Sequence, residues 1–82
     1  MNLNVRLLNL KKLYGPKSSL KVTNNQDHVR MTASVYAKED LVEYSVSIPY
    51  QTNTAFMESL LDQAFDNCMM KLGNKLAINE GS

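Results

Sequence analysis

The chain has no tryptophan, one histidine, one cysteine, two prolines and three glycines in 82 residues. Each scarcity removes a class of function. A lone Cys68 closes no internal disulfide and builds no cysteine-based zinc site, which fits a reducing, cytoplasmic setting. A lone His28 has the adjacent Asp27 as its nearest acid, and in that turn the two read as local polar partners rather than catalytic groups. Gly15 and Gly73 belong to no phosphate-binding motif, and Ser18 and Ser19 have no base within reach of sequence reasoning. No run of apolar residues, Cys68-Met69-Met70 included, exceeds three, whereas a bilayer span needs about 20. The opening Met1 to Arg6 lacks the apolar core of a secretory signal. These absences predict a soluble protein with no membrane contact, no enzyme activity, no cofactor and no metal.

What the chain does have is ordinary globular content, 44% hydrophobic and 21% charged, enough for one small domain over residues 1–82. The charge is unevenly placed. Residues 1–38 carry seven Lys and Arg against Asp27 alone, and residues 39–82 carry Lys71 and Lys75 against seven acids. The formal net charge of +1 hides this division. Such asymmetry points to a charged partner more than to chemistry.

Leu3, Leu7, Leu10 and Tyr14 recur at helical spacing and predict a helix over 4–14, with Lys11 and Lys12 in its last turn and Gly15-Pro16 as the stop. A strand through Leu3, Val5 and Leu7 is the competing reading; it breaks at Leu8. Alternation of apolar and polar residues over 29–37 and 42–50, with 20–22 before them, predicts a three-stranded antiparallel meander. A turn centred on Glu39-Asp40 pairs Val35 with Tyr44 and Ala33 with Val46; a turn at Asn24 to Asp27 pairs Val22 with Val29 and sets Lys21 opposite Arg30. Pro49 marks strand 42–50 as an edge. Met57, Leu60, Leu61, Ala64, Phe65, Cys68 and Leu72 form the apolar stripe of a second helix over 54–72, stopped by Gly73-Asn74. Residues 75–82 then form a frayed turn or a short return strand. The expected fold is a two-layer α+β domain of order α-β-β-β-α, with both helices on one sheet face and the other face polar.

Three surfaces are candidates for binding. On the polar sheet face, Lys21, His28, Arg30 and Tyr36 could take an anion or a nucleic acid, and a solvated face is the plain alternative. Lys11, Lys12 and Lys17 form a basic edge near the first helix end, where lysines also simply complement the helix dipole. On the second helix, Glu58, Asp62 and Asp66 stand at intervals of four, beside the off-stripe Phe56, Met69 and Met70. That set reads as a docking strip for a basic protein, or as a solvated helix face. As metal ligands the three acids diverge along the helix.

The order helix, three-stranded meander, helix resembles the double-stranded RNA-binding domain, and His28 falls between the first two strands, where that family often has a histidine. The resemblance implies a second helix whose lysine-rich start grips phosphates. Here the corresponding Gln51 to Glu58 has no lysine and ends in an acid, so the likeness lies in element order and not in that chemistry. The sequence favours a protein-binding module, an inhibitor or accessory subunit of the kind phages and mobile elements encode. A nucleic-acid-binding domain is the alternative, and a homodimer a third reading.

Overall fold

A computed structural model describes residues 2–81, in the order α1 (Leu3–Tyr14), β1 (Ser19–Asn25), β2 (His28–Ala37), β3 (Asp40–Pro49) and α2 (Thr54–Gly81). The strands form one antiparallel sheet with β2 in the centre. Both helices pack on the same face: α1 over β1 and β2, α2 over β2 and β3. This is the expected two-layer α+β arrangement. The core consists of Leu10 from α1, Met31, Ala33 and Val35 from β2, Val42 from β3, and Ala64, Phe65, Cys68 and Leu72 from α2.

The helix reading of the N-terminal segment holds. The Asn2 carboxamide oxygen accepts from the Asn4 and Val5 amides and so caps α1. At the other end Gly15 takes φ 103°, a region that side chains oppose, and its amide donates to the Lys11 carbonyl at 2.8 Å. Leu3 is not core, however; it stands at the first turn and remains exposed.

Each hairpin register differs from the expectation by two residues. Val35 pairs with Val42, Ala33 with Tyr44 and Met31 with Val46; on the other side Val22 pairs with Met31 and Leu20 with Ala33. The cause is turn length. The hairpins close through two-residue loops, Gln26-Asp27 and Lys38-Glu39, rather than four-residue turns. Gln26 and Lys38 accordingly take positive φ, 41° and 61°. Tight hairpins require such left-handed positions because they match the strand twist. A slip of two leaves every side chain on its own face, so hydrophobic alternation alone does not resolve it.

The second departure is the length of α2. It runs 28 residues, through Gly73-Asn74, to Gly81. Asn53 caps its start, accepting from the Phe56 amide at 2.9 Å. At 1.5 Å per residue α2 is about 42 Å long and accounts for the longest dimension of the molecule, 43 Å. Gly73 does not act as a stop because the helix beyond it is anchored. Leu76 packs against the core, and the Lys75 ammonium donates to the Glu43 carbonyl at 2.7 Å while lying over the Tyr44 ring. That contact also covers part of the open edge of β3. A Cβ at Gly73 would have the Tyr14 hydroxyl 3.9 Å away, an ordinary contact. Gly73→Ala should therefore stabilise the protein by about 0.5–1 kcal/mol. A rise in the urea midpoint at constant slope is the readout; a fall would mean that the two helices cannot accept the added methyl.

Candidate functional site

The sheet presents its second face to solvent. From one end to the other its cross-strand rows are Asn25–His28–Pro49, Thr23–Arg30–Ser47, Lys21–Thr32–Ser45 and Ser19–Ser34–Glu43, followed by Tyr36–Leu41. The face is rich in hydroxyls, and those of Thr32 and Ser45 bond to each other at 2.8 Å. The corrected register moves Lys21 off Arg30. Lys21 faces Thr32, Arg30 faces Thr23, and the two cations are diagonal neighbours, which lie about 7–8 Å apart in an antiparallel pair. Lys17, in the loop after α1, reaches the far end of this face, with its ammonium 5.7 Å from the centroid of the Tyr36 ring. Lys11 and Lys12 sit on the helical layer and do not join it.

His28 opens β2 rather than sitting in the loop. Its Nδ1 is 3.0 Å from an Asp27 oxygen. That hydrogen bond, reinforced by the Asp27 backbone and the histidine's charge, holds the Asp27 carboxyl below its ordinary value of 3.8. The pair lies in an exposed hairpin, where the Asp27 carbonyl accepts from the Tyr50 amide at 3.0 Å. Cys68 is fully buried, and burial pushes its thiol above the ordinary 9.0, the wrong direction for a nucleophile. Among the described residues no three of His, Cys, Asp and Glu converge on a point where a metal ion could sit, and no helix is long and apolar enough to cross a membrane.

The structure divides the six residues of the proposed docking strip on α2. Asp62 is half-buried and binds Arg6 of α1 at 3.0 Å, and the same guanidinium lies over Phe65 with its carbon 5.2 Å from the ring centroid. Glu58 also has a partner. Met69 packs on the core. Asp66, Phe56 and Met70 are exposed, but Phe56 and Met70 are fourteen positions apart, about 21 Å along the axis. Of the acidic row, Asp62 thus belongs to the seam between the two helices, while Asp66 remains exposed. Sequence reasoning placed Asp62 outside because Arg6 lies 56 residues away, and nothing local marks that pairing.

A different apolar surface emerges on α1. Val5, Leu8 and Leu13 are 50%, 59% and 66% exposed, on a helix whose one fully buried side chain is Leu10. At 100° per residue, Val5 and Leu8 point away from the inward stripe of Leu7, Leu10 and Tyr14. The Arg6–Asp62 contact at one end and the Tyr14–Gly73 approach at the other show that α1 and α2 run parallel. Leu13 and Met70 therefore belong to the same end of the helical layer. The signal was present in the sequence as leucines on both sides of a short helix, which a single-stripe reading passes over.

A shallow open pocket of about 260 Å³ lies at the start of α2 between Tyr50, Thr52, Met57 and Leu61. Its wall includes Glu58, which already has a partner. No protein-family model, curated protein or solved structure matches the chain. Functional inference therefore rests on the surfaces themselves.

Proposed function

We propose that the chain is a non-enzymatic protein-binding module that acts as an inhibitor or adaptor by surface contact, and that it docks through the outer side of α1. The observation that carries this reading is the exposure of Val5, Leu8 and Leu13 on a twelve-residue helix. Isolated exposed apolar residues are common on soluble proteins, but three on one twelve-residue helix give a surface that a partner's groove can cover. Met70 extends the surface onto α2. The α1 sequence has no acid and carries Lys11 and Lys12 besides the internally paired Arg6, so the complementary partner is an apolar groove with acidic margins. Burial of Cys68 and the bonding of His28, at the start of β2, to Asp27 support a contact function over a catalytic one.

The test is affinity purification from the native cell with tagged wild type, Leu8→Glu/Leu13→Glu and Phe56→Glu. All three should melt at nearly the same temperature, since the altered side chains are exposed. The expected result is a partner retained by wild type and Phe56→Glu and lost by the double variant. An identical set of captured proteins in all three would reject α1 as the docking surface.

A further inference from the structure

The cations on the open sheet face stand in a pattern that the α1 surface does not explain. Lys17, Lys21 and Arg30 follow one margin of that face, alongside β1 and β2, over about 20 Å from Tyr36 to Arg30. Neither β1 nor β2 contains an acid. The acid of the face, Glu43, projects from β3 on the opposite margin. Among the described residues no ion pair engages Lys21 or Arg30, whereas Arg6 and Lys75 are both committed to internal contacts. Like charges held as close diagonal neighbours repel, and an anion lying between them reverses the sign of that interaction.

We propose that this margin binds the sugar–phosphate backbone of a single nucleic-acid strand, without reading its bases. Three cations spread over about 20 Å fit phosphates of one extended strand, though not three in succession, and the surrounding hydroxyls of Ser19, Thr23 and Thr32 can donate to phosphate oxygens. Base recognition is not provided: the two rings on the face, Tyr36 and His28, stand at its opposite ends, with Lys17 over the first and Asp27 bonded to the second. An open sheet face can lie along an extended strand. The surface is on the opposite side of the sheet from α1, so the two contacts are compatible.

The experiment is fluorescence anisotropy of a labelled oligo-deoxythymidine strand across about 25–200 mM salt, with wild type, Lys21→Gln/Arg30→Gln and Lys11→Gln/Lys12→Gln. Three phosphate contacts predict a slope of log affinity against log salt near −2 for wild type, falling to about −0.7 when only Lys17 remains. At the lowest salt Lys21→Gln/Arg30→Gln should weaken binding at least tenfold, with an unchanged melting temperature. Lys11→Gln/Lys12→Gln should bind as wild type does. Absence of binding at the lowest salt, or loss in the Lys11/Lys12 variant with retention in the other, would overturn the assignment. So would tighter binding to phosphatidylserine vesicles or to poly-glutamate than to the strand, since either would make the ligand a membrane or an acidic protein.

Discussion

Leu10→Ala is expected to destabilise the protein by about 3 kcal/mol, the largest effect of any single truncation on α1. Leu10 is fully buried among core residues of the sheet and of α2, and removing three methyl-sized groups there leaves a cavity that neighbours only partly fill. A chain of 82 residues has a total stability of about 4–12 kcal/mol, so this one change removes a large share. The loss should fall unevenly. Leu10 is the one wholly buried anchor of α1, while α2 keeps Ala64, Phe65, Cys68 and Leu72 in the core. Amide exchange in α1 should therefore accelerate before that in the sheet. Leu8→Ala, at an exposed position on the same helix, is the control and should change stability by less than about 0.5 kcal/mol. Urea unfolding of the two variants decides the matter, and equal effects would show that α1 is not held by Leu10.

Arg6→Glu should cost about 2 kcal/mol, and the exchange Arg6→Glu/Asp62→Arg should recover at least half of it. The single variant loses the Asp62 ion pair and the stacking on Phe65, and sets two carboxylates against each other. The side chains of Arg6 and Asp62 are 32% and 43% exposed, so solvent limits the ion pair itself to under about 1 kcal/mol. The rest comes from the ring contact, the buried aliphatic stem and the new repulsion. Raising the salt concentration should narrow the gap between Arg6→Glu and wild type without closing it, because screening acts on the charges and not on the packing. A double variant no more stable than the single one would show that the two helices are joined without this pair. A consequence follows for mapping surfaces on α2. Asp62→Lys would face Arg6 and loosen the helical layer, so any loss of binding it caused would say nothing about docking; Met70→Glu, at an exposed position, avoids that confusion.

The open sheet face shows how far alternation carries. The sequence placed Lys21, His28, Arg30 and Tyr36 on the solvent side because a period of two assigns faces without reference to partners. Which of them lie side by side depends on the register, and the register depends on how tightly each hairpin closes. Neither loop carries the Asn-Gly or Asp-Gly pair that announces a two-residue turn. Gln26 and Lys38 take the left-handed positions instead, at an expense of about 1 kcal/mol or more each, which the paired strands on either side must offset. The diagonal placement of Lys21 and Arg30, and with it the phosphate-sized spacing, follows from that choice.

The order α-β-β-β-α, the glycine stop of α1 and the buried stripe of α2 from Ala64 to Leu72 were determined by the sequence itself. All of these depend on periodicity, caps and composition, which act over a few residues. Tertiary structure decided three things: the continuation of α2 past Gly73, the engagement of Asp62 by Arg6, and the exposure of leucines on α1. Each depends on contacts between segments distant in the chain, Lys75 with Glu43, Arg6 with Asp62, and Leu10 with the sheet. Helix-breaking propensity at one glycine is worth about 1 kcal/mol, and anchoring contacts on its far side readily outweigh it. The division of charge along the chain is a property of sequence; which of those charges remain available to a partner is a property of the fold.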